Sequence, residues 1–323
     1  NKGESMKKIL VIGSLNMDMV AEVDHTPHVG ETIITERMEL IPGGKGANQA
    51  YAAGKLGAQV KILGAVGRDS YGKIVIDSLN SARVDTSYII KKEKMSTGSA
   101  FITVNKNGDN SIVVVAGANA ALSEKDIEEN IRLIEECDIL VLQMEIPITT
   151  VLYAAKRAKE LGKKVILDPA PVPMLFPEEL YSYIDVIKPN ETEVRMLTGH
   201  GIDELEKAAK YLKCRGVKNV VVTLGGKGVY INSESEQIKV IPARKVEAVD
   251  TTAAGDTFTA AVALKLALGK SLEEAVNFAN YVSSIVVTRK GAQTSIPSIK
   301  EVTQSLVVPL KMQKLDKESS ARS

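Results

Sequence analysis

Apolar strand-like runs alternating with helical patterns predict an α/β fold for this 323-residue chain, with a mainly parallel central sheet and helices on both faces. Two glycine-rich loops, each opening into a helix-like run, mark helix starts suited to holding a ligand. Two longer β segments break the alternation and predict a small second sheet.

The first apolar run, Ile9 to Ile12, ends at Gly13-Ser14 and is followed by Asn16 and Asp18. Polar residues after such a strand lie at its carboxyl end, where open α/β sheets bind ligands. Gly43-Gly44-Lys45-Gly46-Ala47-Asn48-Gln49-Ala50 then leads into a run with Ala50, Ala53 and Leu56 on one side and Gly57 as a stop. Glycines so closely spaced let backbone approach a ligand, and Asn48 offers hydrogen bonds to hydroxyls. The rhythm continues with Val60–Val66 and Ile74–Leu79, Ile139–Leu142 and Val151–Leu161, then Val165–Leu167, Val186–Ile187 and Val220–Leu224. Ile33 to Ile41 and Ala100 to Val115 read as the longer β segments, the second with a turn signal at Asn107-Gly108-Asp109-Asn110.

The most informative stretch is Asp250-Thr251-Thr252-Ala253-Ala254-Gly255-Asp256-Thr257-Phe258. It runs into the apolar positions Phe258, Ala261, Val262, Leu264 and Leu266, so a helix begins beneath a tight loop. Free N–H groups and the helix dipole make that start an anion site. A carboxylate there would compete with a phosphate. It makes sense if Asp256 takes a proton from a hydroxyl while the N–H groups receive the phosphoryl group that the hydroxyl attacks; the alternative is an ordinary N-cap aspartate. Gly269-Lys270-Ser271 looks like the end of a P-loop, but Leu264 stands where that motif wants glycine. It reads as a helix C-cap followed by a new start at Ser271. The sequon Asn190-Glu191-Thr192 carries no meaning without a secretion signal.

Hydrophobic content of 44%, charged content of 25% and a formal net charge of +1 describe an ordinary globular chain with no basic field for nucleic acid. No apolar run approaches the roughly 20 residues that span a bilayer, and no signal-peptide pattern is present, which predicts a cytoplasmic protein. Cys137 and Cys214 have no metal-ligand spacing and are expected as buried reduced thiols. One domain is expected over residues 6–310. Residues 1–5 precede Met6, which reads as the natural start, and 314–323 read as a disordered tail.

These residues resemble the ribokinase-type (pfkB) carbohydrate kinases from about Lys8 to about Val302. The loops Gly43–Asn48 and Asp250–Phe258 match the two family signatures. Gln143-Met144-Glu145, Pro189-Asn190-Glu191-Thr192-Glu193, Thr223–Gly228 and Thr288-Arg289-Lys290-Gly291-Ala292-Gln293 follow the family order and approximate spacing. One departure is Thr259-Ala260, where the family commonly has Asn-Gly. Both replacements are small, so they bear on packing and not on the chemistry.

The resemblance implies transfer of the ATP γ-phosphoryl group to the 5-hydroxyl of D-ribose, with Asp256 as base and the amides of Ala253, Ala254, Gly255 and Asp256 as the anion hole. It implies a sugar site at Asn16, Asp18, Gly44, Lys45, Gly46, Ala47, Asn48 and Glu145, although Glu145 alternatively caps a helix after Pro147 and Lys45 has no fixed role. The nucleotide would lie on Thr223, Leu224, Gly225, Gly226, Lys227, Gly228, Gly255 and Asn280. Asn190 and Glu193 would help hold Mg²⁺, largely through water. A monovalent cation, usually K⁺, is implied at Asp250, Thr252, Val286, Arg289, Gly291 and Ser295. The family also implies that strands from about 16–42 and 97–116 form a lid over the sugar and pair with a second copy in a homodimer; the alternative is an exposed hairpin with no role.

Competing readings are a kinase of this fold acting on 2-deoxyribose, fructose or adenosine, a sugar-binding protein without catalysis, and a dinucleotide-dependent oxidoreductase. The last lacks a G-x-G-x-x-G after the first strand, where Gly13-Ser14-Leu15-Asn16 stands.

Overall fold

Strand β1 (Lys8–Ile12) is apolar throughout its last four residues, and every one of them is buried. In this computed structural model, residues 8–307 are described apart from 108 and 236; the expectations for residues 1–5 and 314–323 lie outside them. The next strands are β2 (Asn16–Glu22), β3 (Met38–Gly43), β4 (Gln59–Gly67), β5 (Ile89–Lys92), β6 (Gly98–Val104) and β7 (Asn110–Val115). They are followed by β8 (Ile139–Leu142), β9 (Lys164–Leu167), β10 (Val186–Ile187), β11 (Asn219–Thr223), β12 (Val229–Asn232) and β13 (Ile238–Ile241).

A nine-stranded sheet has the order β13-β12-β11-β10-β9-β8-β1-β4-β5. Its pairings are parallel from β11 to β5 and antiparallel at β11–β12 and β12–β13. Both faces are covered. Ile9 and Val11 join the core beneath the helices Lys45–Lys55, Ala254–Ala267 and Leu272–Val286. Leu10 and Ile12 join the opposite core, under Ile148–Glu160 and Leu205–Lys213. Successive strand residues point to opposite faces, so a sheet buried on both sides needs continuous apolar runs. The predicted strands in the parallel part are all present.

The second sheet has the order β3-β2-β6-β7. Strand β2 follows β1 after only Gly13, Ser14 and Leu15, so the chain passes directly from the large sheet into the small one. Asn16 and Asp18 lie on β2, where Asn16 pairs with Gly43 and Asp18 with Ile41. One face of this sheet exposes Phe101, Val113 and Val115, and Met38, Leu40, Ile112 and Val114 are exposed too.

Several readings need correction. The β segment expected over Ile33 to Ile41 is a strand only over Met38–Gly43. The antiparallel edge β12–β13 was not expected, because β13 is short and its first three residues are exposed, which gives no core periodicity. Cys137 is buried as expected, but Cys214 is exposed at the C-cap of the helix Leu205–Lys213. Gly269 takes a left-handed φ of 75°, and Ser271 caps the helix Leu272–Val286 through a capping box with Glu274, as the sequence predicts.

Candidate active site

The carboxyl ends of β1, β8, β9 and β10 converge with the starts of the helices Lys45–Lys55 and Ala254–Ala267. The first start is wedged against the end of β1. A Cβ on Gly46 would lie 2.6 Å from the Gly13 carbonyl carbon and the Ser14 nitrogen, and Gly44 has φ +88°. Only glycine tolerates both constraints. Glu145, beyond β8, fixes this loop: its Oε2 accepts from Ser14 Oγ at 2.5 Å and from the Lys45 amide at 3.0 Å. Glu145 therefore does not cap the following helix, which has no side-chain cap.

Asp256 is the third residue of the helix Ala254–Ala267 and is buried. Its Oδ2 accepts from Asn48 Nδ2 and its Oδ1 from Gln49 Nε2, both at 3.1 Å. A carboxylate oxygen can accept more than one hydrogen bond, so lone pairs remain for a proton. Ala253 caps the helix in the left-handed region at φ 59°, a strained conformation for a residue with a Cβ. The Ala254 amide donates to the Thr251 carbonyl at 3.2 Å. The amides of Ala253, Gly255 and Asp256 have no acceptor among the described residues. These free donors sit at the positive end of a helix dipole, beside the carboxylate.

On the small-sheet side, Asn16 is buried and its Oδ1 accepts from Asn119 Nδ2 at 2.7 Å. Asp18 faces Gly43, where a Cβ would meet Asp18 Oδ2 at 2.1 Å. Burial, and then the charges of Glu145 and Asp256, push the Asp18 carboxyl up to about 7. Lys45 counters this crowding. Burial would lower its pKa, but Asp168, Asp256, Glu145 and Glu193 outweigh that and hold it above the ordinary lysine value.

On the other side of Gly255 opens a cleft of ≈ 540 Å³, bordered by Asn190, Thr223, Gly225, Gly226, Gly228, Gly255 and Asn280 among others. That volume suits a nucleotide-sized ligand. Asn280 donates to the Pro242 carbonyl at 2.9 Å. Leu224 is buried and Lys227 reaches toward Glu191 at 4.0 Å; neither borders the cleft. Asn190 and Glu193 form a capping box on the helix Glu191–Thr198. Both Glu193 oxygens accept from Asn190, its amide at 2.8 Å and its Nδ2 at 2.9 Å. Burial and then Asp168 raise the Glu193 pKa, against the lowering by Lys188, the Asn190 amide and Lys45. Carboxylate and amide oxygens are the donors that a hydrated divalent cation takes.

Asp250 ties two loops together. Its Oδ1 accepts from Thr252 N and Oγ1 at 2.8 and 2.6 Å, and its Oδ2 from the Gly291 amide at 2.9 Å. Its pKa is lowered because these hydrogen bonds outweigh burial. The Val249 and Asp250 amides both donate to the Val287 carbonyl. Thr252 and Gly291 are thereby brought onto one carboxylate. Val286 and Ser295 are buried, and the Arg289 side chain points instead to Glu301 at 3.0 Å. Asp250 brings one negative charge to this set, and the contacts of its oxygens are with N–H and O–H donors.

Sequence reasoning missed Gln49, Asp168 and Lys188 as site residues. Gln49 Nε2 donates to Asp168 Oδ2 at 2.9 Å as well as to Asp256, and Gln49 Oε1 accepts from Gln143 Nε2 at 2.6 Å. Lys188 Nζ pairs with Asp168 Oδ2 at 3.0 Å. Asp168 and Lys188 are the first residues after β9 and β10, and that placement is the signal that would have found them.

A model described as the pfkB family carbohydrate kinase matches residues 6–299. The ribokinase of Haemophilus influenzae is 41% identical over 303 residues, 93% of this chain and 98% of the relative. The deoxyribokinase of Salmonella typhimurium is 37% identical over 301 residues, 92% of this chain and 98% of the relative. A crystal structure of Thermotoga maritima ribokinase superposes with a TM-score of 0.84 at 42% identity, covering 92% of this chain and 98% of that one. Arabidopsis thaliana ribokinase complexed with ribose and ATP gives 0.88 at 36% identity, with 93% and 98% covered.

The raised Asp18 pKa sets a stability dependence. The folded state binds a proton at Asp18 up to about pH 7, whereas the unfolded chain releases it near 3.8. This contribution to stability is complete below the unfolded value and is lost as the pH rises through the folded one. Ligand-free protein should lose thermal stability from pH 5 to 7.5 more steeply than Asp18→Asn, measured by thermal melts across that range. Parallel slopes would refute the assignment.

Proposed function

The chain belongs to the pfkB family of carbohydrate kinases, and from that premise we propose that it transfers the γ-phosphoryl group of ATP to the 5-hydroxyl of D-ribose, giving D-ribose 5-phosphate and ADP. One observation carries this reading. A buried carboxylate, Asp256, shares a helix start with the unengaged amides of Ala253, Gly255 and Asp256, between polar β2 residues and a nucleotide-sized cleft.

In this reading Asn16 and Asp18 bind sugar hydroxyls, Glu145 and Asn48 hold the loop around Gly44–Ala47, and Lys45 balances the surrounding carboxylates. Asp256 takes the hydroxyl proton as the oxygen attacks phosphorus, and the amides stabilise the charge on the transferring oxygens. Such catalysis is mostly positioning and electrostatics. The adenine side lies along Thr223–Gly228 and Asn280. Asn190 and Glu193 are the residues that would hold Mg²⁺, whose charge would offset that of the phosphates. The Asp250 loop and the Gly291 turn would hold K⁺ and so fix the shape of the anion loop. We assign the enzyme to the cytoplasm, where ATP is supplied.

A second reading, a 2-deoxyribose kinase, has one observation in its favour, the 37% identity to a deoxyribokinase. A site that bonds the 2-hydroxyl leaves a buried group unpaired when that hydroxyl is missing, at about 1–3 kcal/mol per lost bond. In an ATP-consumption assay over a panel of sugars, D-ribose should exceed 2-deoxyribose in kcat/KM by roughly ten- to a hundred-fold on that penalty. Asp256→Asn should lower kcat by at least ~10²-fold, the lower end for a positioned base. Equal efficiency with the two sugars would defeat the ribose assignment, and near-parent activity of the variant would remove Asp256 from the reaction.

Exchange of K⁺ for Na⁺ or a bulky organic cation at constant Mg²⁺ should depress the rate by loosening the Asp250–Gly291 tie. A rate indifferent to the exchange would remove the cation from this reading.

We also propose that the small sheet is a lid that pairs with a second copy. Its exposed residues Phe101, Val113 and Val115 share one face and Ile112 and Val114 the other, and β3 and β7 are open edges. Exposed edges and apolar patches invite a partner. Sedimentation at assay concentration should give a dimer, and Val113→Lys should give monomers. A fully active monomeric parent would exclude the dimer.

A further inference from the structure

We propose that Lys188 is a further catalytic residue, which touches the phosphoryl group in transfer, and that Asp168 positions it; this rests on the kinase reading above. Lys188 is 5% exposed and Asp168 is 1% exposed. Removing both charges from water costs several kcal/mol per ion, which their mutual attraction only partly recovers. Stability alone is therefore a weak reason for placing such a pair here.

The position of the pair supplies a better reason. Lys188 directly follows β10, and Asn190, two residues on, borders the nucleotide-sized cleft. Lys188 Nζ lies 3.5 Å from the Gly255 carbonyl oxygen, at the helix start whose amides are unengaged. An ammonium group has three donors. One is engaged by Asp168 Oδ2 at 3.0 Å, and the contact with Gly255 is long for a hydrogen bond. Donor capacity therefore remains beside the amides of Gly255 and Asp256.

Asp168 is held in turn. Its Oδ2 also accepts from Gln49 Nε2, the same nitrogen that donates to Asp256 Oδ1. Its Oδ1 is buried and has no partner among the described residues. Asp256, Gln49, Asp168 and Lys188 thus form one chain of contacts, with the proton acceptor at one end and a cation at the other. During transfer the sugar oxygen bonds to phosphorus as the bond from phosphorus to the ADP oxygen breaks, and the hydroxyl proton passes to Asp256. The charge of Lys188 faces the negative charge spread over the equatorial oxygens, in a buried setting where fixed charges act strongly.

The competing explanation is a buried ion pair that only supports the fold. The two differ in the doubly neutral variant, because replacing both members of a buried pair restores stability without restoring a cation. With ATP and D-ribose as substrates, Lys188→Met should lower kcat by ~10²- to 10³-fold, as loss of one transition-state donor does. Lys188→Arg should retain more activity than Lys188→Met. Ribose affinity without nucleotide, by calorimetry, should change by less than about threefold on this reading, because Lys188 interacts with the phosphoryl group only. The double variant K188M/D168N should melt within a few degrees of the parent and stay as slow as Lys188→Met, so instability of the single variant leaves the test intact. Recovery of kcat in the double variant to within a few-fold of the parent would overturn the proposal, as would undiminished kcat in Lys188→Met. A parent that phosphorylates no sugar of the panel overturns the kinase reading itself, before any variant is compared.

Discussion

The two hydrogen bonds from Asn48 and Gln49 to Asp256 join parts of the chain more than two hundred residues apart, and the rest of the site depends on that junction. Hydrogen bonds to a charged group contribute about 1.5–3 kcal/mol each, which exceeds the rotamer freedom lost by a short side chain. The carboxylate is therefore held in one orientation between two helix starts. The first start is wedged against the end of β1, and the second is anchored in the core by Phe258, Ala261 and Val262. Moving either helix would separate Asp256 from Asn48 and Gln49.

Carboxylates outnumber lysines around this junction. Asp18, Glu145, Asp168, Glu193 and Asp256 surround Lys45 and Lys188. The imbalance raises the pKa of Asp18 and of Glu193, with burial as the larger cause in each. An acidic pocket alone would repel a nucleotide. Free amides at the helix start and the buried ammonium groups give phosphate oxygens a local positive surface inside it. A cation at Glu193 would shift the balance further in that direction.

The central sheet was legible because a sheet covered on both faces requires uninterrupted apolar runs, and β1, β8, β9 and β11 have them over at least three residues. Both helix starts were legible because glycine clusters and a change of period mark them. The tie between them was not, because Gln49 and Asp168 are ordinary polar residues in sequence, and the contacts that Gln49 makes to Asp168 and Asp256 span 119 and 207 positions. The edge β12–β13 carries little core pattern, so tertiary pairing decides it. Leu224 and Lys227 show a different limit. A loop can match a motif while only Thr223 and its glycines border the cleft. The cation ligands came from resemblance alone, since backbone carbonyls leave no trace in residue type.

The path of the chain adds a constraint that no single residue shows. Because β2 follows β1 after three residues, the strand bearing Asn16 and Asp18 is fixed at its base to the rigid sheet and free only toward its far end. Gly43 ends β3 opposite Asn16 and leads directly into Gly44 and the helix that carries Asn48 and Gln49. Any hinge of the small sheet must therefore act at all four of its connections to the rest of the chain, at Gly13–Leu15, at Gly43–Gly44, at 93–97 before β6 and at Ala116 after β7. At its far end Glu22 reaches Lys290 at 3.0 Å, beside Gly291 of the Asp250 tie. That ion pair is exposed to water and contributes little. It is a weak tie beside the buried contacts at the base. Asn16 and Asp18 thus lie at the root of the small sheet, next to the large one, and away from its exposed far end.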